Sequence, residues 1–167
     1  MNTGTILPAD LGELAAQVIE KNIEAGRKVA LAESCTGGLV AAALTEVAGS
    51  SAVLDRGFVT YSNEAKMESL GVAQDIIETF GAVSIACVWA MAKGALDRSD
   101  ADVAVAISGV AGPGGGTDLK PVGTVVFARV TRDSEDEPEG ELKLFDGKNR
   151  AEIRAQATIC ALELLLP

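Results

Sequence analysis

The chain has 167 residues, 48% of them apolar, with a formal net charge of -10 and no histidine. That length predicts one domain over residues 1–167 with a sizeable core, and the charge repels duplex nucleic acid. The lack of histidine excludes a Ser-His-Asp triad, a Cys-His pair and a His-ligated zinc, and Cys35, Cys87 and Cys160 form no CxxC pair for a metal, a cluster or a disulfide framework.

Leu11, Leu14, Ala15, Val18, Ile19 and Ile23 recur at helical spacing, which predicts a helix from Asp10 to Glu24 with Asp10 as its cap and Gly26 as its stop. Lys28 to Glu33 reads as a short strand leading into glycines. Thr36 to Val47 reads as a helix. Arg56 to Ser62 is rich in β formers and predicts a strand. Asn63 is then expected to cap a helix to Leu70, closed by Gly71. Gln74 to Phe80 predicts a short helix, and Ser84 caps a longer one to Leu96. Asp102 to Ser108 is a buried-type strand. Gly123 to Thr131 and Glu141 to Phe145 are further strands, joined by the acidic turn from Asp133 to Gly140. Asn149 to Leu166 forms the last helix. The order predicts a three-layer α/β/α domain on a mixed sheet of about five strands, with a parallel portion and an antiparallel hairpin at one side.

The apolar runs are too short to span a bilayer, and the first residues lack the basic-then-apolar pattern of a secretory signal. The reading is a soluble cytoplasmic protein with no membrane or nucleic-acid partner. The Ala-rich face of the helix from Ser84 to Leu96 offers a subunit contact, so a homo-oligomer is expected.

Ser34 lies between a strand and a helix that opens with Thr36, Gly37 and Gly38. That junction exposes a hydroxyl beside unpaired backbone N–H groups, which suit an oxyanion or a phosphate. The plainer alternative is a helix cap. Neither GxSxG nor S-x-x-K is present. Without imidazole, another base must activate a nucleophile, and Lys66 leads. A cation in the first turn of a helix is disfavoured by the dipole, and burial would lower its pKa further. A solvated surface lysine is the alternative. Tyr61, the chain's one tyrosine, stands beside it, as a proton relay or an ordinary strand aromatic.

The loop carrying Gly109, Gly112, Gly114, Gly115 and Gly116 is neither a dinucleotide fingerprint nor a Walker A loop. It follows a buried strand, where α/β folds place ligands, although an Ω-loop is the alternative. Arg150 and Arg154 share a helix face, as phosphate ligands or as a solvated pair. Cys35 is a rival nucleophile, since Glu33, Cys35 and Lys66 form the residue set of a nitrilase-like site. Alternation along a strand end opposes Ser34 and Cys35 serving one pocket equally.

Four segments then show a resemblance. Ala32-Glu33-Ser34-Cys35-Thr36-Gly37-Gly38, the stretch from Gly57 to Lys66, the stretch from Gly109 to Gly115 and Pro121-Val122-Gly123-Thr124-Val125 closely resemble the CinA C-terminal-domain family. The resemblance covers almost the whole chain. It implies a stand-alone form, without the family's molybdopterin-binding-like module. It implies a metal-independent nicotinamide-nucleotide amidase, without cofactors, that hydrolyses nicotinamide mononucleotide to nicotinate mononucleotide and ammonia. A pyridine mononucleotide would be its small-molecule partner in nucleotide salvage. Its catalytic Ser, Tyr and Lys fall on Ser34, Tyr61 and Lys66, and its substrate loops on Thr36 to Gly38 and Gly109 to Gly116. The family's last helix begins with a Gly-Asp-Arg-like motif. Here Gly147-Lys148-Asn149-Arg150 keeps the arginine and lacks the acid, and the phosphate is expected either at the Thr36-Gly37-Gly38 helix start or near Arg150. The alternative function is a non-catalytic nucleotide-binding module of the same fold.

Overall fold

The computed structural model describes residues 4–135 and 138–167. In chain order the elements are α1 (Ala9–Glu24), β1 (Val29–Glu33), α2 (Leu39–Thr45), β2 (Leu54–Val59), α3 (Asn63–Leu70), α4 (Gln74–Phe80), α5 (Ile85–Asp97), β3 (Val103–Gly109), β4 (Thr124–Thr131), β5 (Glu139–Leu144) and α6 (Arg150–Leu164). The strands form one sheet in the order β2-β1-β3-β4-β5. β1 pairs in parallel with β2 and β3, whereas β4 runs antiparallel to both β3 and β5. This is the expected mixed α/β sheet. Asp136 and Glu137 of the acidic turn lie outside the described residues.

The two faces of the sheet are written into its central strands by side-chain alternation. Val29, Leu31, Val103, Val105 and Ile107 face one way, into a core completed by α1, α2 and α6. Ala30, Ala32, Ala104 and Ala106 face the other way, toward α5. The large residues fill the wide layer, and the alanines let α5 lie close. Gly94 on α5 shows how close the packing is on this side, because a Cβ there would sit 2.0 Å from the Leu70 carbonyl oxygen of α3.

Several boundaries differ from the sequence reading, each for a local reason. Gly37 and Gly38 take left-handed backbone conformations (φ 60° and 100°), so α2 starts at Leu39 rather than Thr36. Asp10 lies in the first turn of α1 and does not cap it; the position before the helix is Pro8. The β2 strand stops at Val59, and the Ser62 hydroxyl, not Asn63, caps α3 by accepting from the Ala65 N–H at 3.0 Å. Asn149 caps α6 through the Glu152 N–H. These boundaries leave Ser34, Tyr61 and Lys66 just past the carboxyl ends of two adjacent parallel strands.

Candidate active site

Lys66 is 1% exposed although it belongs to the first turns of α3. Its Nζ lies 3.1 Å from Ser34 Oγ, 2.7 Å from the Thr60 carbonyl oxygen and 3.3 Å from the Tyr61 carbonyl oxygen. All three of these partners are uncharged. Burial therefore meets no compensating carboxylate and pushes the amine below its ordinary value of 10.5. The three acceptors around Nζ suit either protonation state. As an ammonium, Lys66 donates to Ser34 Oγ and to both carbonyls; once it loses a proton, two N–H bonds can stay on the carbonyls, which can only accept, and the lone pair can take the Ser34 O–H.

Ser34 is held from behind. Its N–H donates to the Ile107 carbonyl at 2.9 Å, which extends the β1–β3 ladder one step past the strand. Arg154 secures the turn that follows, donating from Nε to the Cys35 carbonyl at 3.0 Å and from Nη2 to the Thr36 carbonyl at 3.1 Å. Arg150 and Arg154 share a helix yet serve different places. Arg150 donates to the Tyr61 phenol oxygen and to the Gly112 carbonyl, both at 2.7 Å. Ser34, Tyr61, Lys66, Ser108, Gly109 and Arg150 all line one cavity of about 210 Å³. A larger cleft of about 660 Å³ lies against Trp89 and the β4–β5 hairpin and contains neither Ser34 nor Lys66.

The expected anion site at the start of α2 is already filled. Glu33, 1% exposed, accepts from the Thr36 hydroxyl and from the Gly38, Val40 and Ala41 N–H groups. An internal carboxylate thus sits where a phosphate was expected, and Thr36, Gly37 and Gly38 lie outside the cavity lining. Of the glycine loop, Gly109 lines the cavity and Gly112 lends its carbonyl to Arg150. Gly112 and Gly116 also pack against Val122, where a Cβ would come within 2.5 and 2.8 Å of it. Gly114, Gly115 and Gly116 lie outside the cavity. The Tyr61 phenol bonds Arg150 rather than Ser34 or Lys66, and Tyr61 touches the lysine through its main-chain carbonyl.

Cys35 also reaches the cavity, but burial raises its thiol to about 11, so it stays protonated at neutral pH. The Glu33 carboxylate accepts from the Thr36 hydroxyl and from three N–H groups at the start of α2, and its nearby charge helps to raise the Cys35 thiol. Sequence reasoning missed the capping role of Glu33, the hold of Arg154 on the turn and the presence of Ser108. The one legible signal among these was a carboxylate immediately ahead of a glycine-opened helix.

With this geometry in place, comparison with known proteins is decisive. The CinA C-terminal domain model matches residues 11–167. The chain belongs to the CinA C-terminal domain family. It is 49% identical to the nicotinamide-nucleotide amidohydrolase PncC of Escherichia coli K12 over 94% of this chain and 93% of that protein. It is 44% identical to a CinA-like protein of Shewanella sediminis over 96% of this chain, but spans only 37% of that longer protein. Among solved structures, the competence/damage inducible protein CihA from Agrobacterium tumefaciens superposes with a TM-score of 0.91 at 49% identity, over 96% of both chains.

Proposed function

We propose that this chain is a nicotinamide-nucleotide amidohydrolase that cleaves the carboxamide of nicotinamide mononucleotide through a Ser34 acyl-enzyme. The observation that carries this reading is the 3.1 Å contact between the Ser34 hydroxyl and a buried amine whose other hydrogen bonds go to carbonyls. The likeness to PncC supplies the substrate class.

In the proposed reaction, neutral Lys66 takes the Ser34 proton as Oγ bonds to the carboxamide carbon. The resulting ammonium returns a proton to the amide nitrogen, the C–N bond breaks and ammonia leaves. Water then attacks the ester with Lys66 again as base, releasing nicotinate mononucleotide and restoring Ser34. Tyr61 stands over the same cavity. Its phenol oxygen accepts from Arg150, so its own proton is available to the leaving nitrogen. The substrate phosphate is assigned to Arg150, because the α2 start is occupied by Glu33. No metal or cofactor enters these steps. The proposed unit is one CinA-type domain over residues 1–167.

Ammonia release from nicotinamide mononucleotide by the purified protein, with a chelator present, tests the reading. Release is the expected result. Tight binding of the nucleotide without release would favour a non-catalytic binding module instead.

A further inference from the structure

β2, β1 and β3 lie side by side, and the segment at the end of each delivers polar side chains to the cavity. Lys66 follows β2, Ser34 follows β1 and Ser108 stands near the end of β3. Ser108 is 2% exposed and lines the cavity. Among the described residues its hydroxyl has no hydrogen-bond partner. Two other buried hydroxyls are engaged, Thr36 donating to Glu33 and Thr124 donating to the Pro121 carbonyl at 2.7 Å, whereas the Thr60 hydroxyl has no partner but does not line the cavity. The fully enclosed side-chain polar atoms without a partner among the described residues are Thr60 Oγ1 and Arg129 Nε; Ser108 Oγ is not one of them, so it opens on the cavity, where a bound group can meet it.

We propose that the Ser108 hydroxyl donates to the carboxamide oxygen as that atom becomes an oxyanion. The inference rests on the Ser34–Lys66 amidase reading. When Ser34 Oγ bonds to the carbon, the C=O π pair moves onto oxygen and the Ser34 proton moves to Lys66. When the C–N bond breaks, its pair leaves with nitrogen, which takes that proton, and the oxygen pair re-forms the carbonyl. The nitrogen must therefore face the proton donors. Lys66 and Tyr61 both follow β2, so the nitrogen lies on the β2 side of Ser34. The oxygen is left on the β3 side, where Ser108 holds an unengaged donor. Such a donor acts mainly in the transition state, where the charge is largest.

The test is Ser108→Ala, assayed by ammonia release from nicotinamide mononucleotide alongside the wild type. The expected result is a kcat lower by about a hundredfold or more, with KM within about threefold. The melting temperature should hold or rise, since no protein hydrogen bond is lost. A hydroxyl of purely structural use would do the reverse, lowering the melting temperature and sparing kcat. The inference is overturned if Ser108→Ala turns over within about threefold of wild type, or if its rate falls only in step with its stability. A wild type that releases ammonia beside an equally active variant sinks this inference alone. A wild type that releases none removes the amidase reading, and this inference with it.

Discussion

Replacing Lys66 with Met keeps the buried methylene chain and removes the amine. The loss should fall on chemistry, because Nζ is the group placed at 3.1 Å to accept the Ser34 proton. General-base catalysis contributes about 10²–10⁴ in rate, equivalent to roughly 3–5 kcal/mol of barrier. The cost in stability should be small. Met at this position leaves the Thr60 and Tyr61 carbonyls without their donor, yet it also removes a cation that burial disfavours. The pH dependence separates these effects. Because the folded protein holds Lys66 below 10.5, it binds fewer protons than the unfolded chain between the lowered value and 10.5. Wild-type stability should therefore gain from Lys66 as pH rises through that window, and this gain should be absent in Lys66→Met. Below the window both states are protonated, and the penalty on the folded state is complete. Wild-type kcat/KM should rise with pH through the same lowered value, as the amine loses its proton. Ammonia release and thermal melting at a series of pH values measure both. Lys66→Met turning over within about tenfold of wild type would refute the base assignment, as would a wild-type profile that falls where the amine deprotonates.

Ser34→Ala should abolish ammonia release while nicotinamide mononucleotide still binds, as read by calorimetry, since in the proposed reaction the hydroxyl forms the bond and Arg150 holds the phosphate. Arg150→Ala should raise KM for nicotinamide mononucleotide by about tenfold or more, in line with one lost charge-assisted contact, and should leave turnover of the dephosphorylated nucleoside nearly unchanged. Cys35→Ser should retain ammonia release within a few-fold, because the wild-type thiol, raised to about 11, is not the ionised nucleophile. Glu33→Gln should lower stability by about 1–3 kcal/mol in denaturant melts, because an amide cannot accept all the bonds that the carboxylate takes from Thr36, Gly38, Val40 and Ala41.

The parts of the fold legible in the sequence were those decided within a few residues. The Val-Ala-Leu-Ala and Val-Ala-Val-Ala-Ile runs declare strands buried on both faces, and they became β1 and β3. Ser84 and Asn149 cap their helices by contacts three residues away. The Ser34–Lys66 pair was legible because each residue occupies its own strand-to-helix junction, where side chains meet ligands. What the sequence hid was set across the chain. Arg154 reaches carbonyls 119 and 118 positions earlier, and Arg150 reaches Tyr61 across 89. Both look alike on a helical wheel, and only the docking of α6 separates their roles. Glycine density was also ambiguous. Gly109, with Val125 2.8 Å from where its Cβ would lie, Gly112 and Gly116 are all required by packing on their neighbours, so a glycine-rich loop by itself does not mark a ligand.

The arrangement of Glu33 and Lys66 explains how one strand end can hold an acid beside an amine that burial keeps below its ordinary pKa. An ion pair between them would raise the amine and fix it in the charged form, which cannot accept the Ser34 proton. Alternation along β1 prevents this, because Glu33 and Ser34 are adjacent and point to opposite faces of the sheet. Glu33 turns to the α2 side, where four hydrogen bonds hold its carboxylate. Ser34 turns toward α3, where Lys66 waits among carbonyls. The carboxylate that completes the helix start therefore keeps phosphate out of it, and the same single-residue step that assigns it there leaves the amine without a counter-ion. A base of this kind depends less on any one contact than on the side of the sheet to which each of two neighbouring residues is sent.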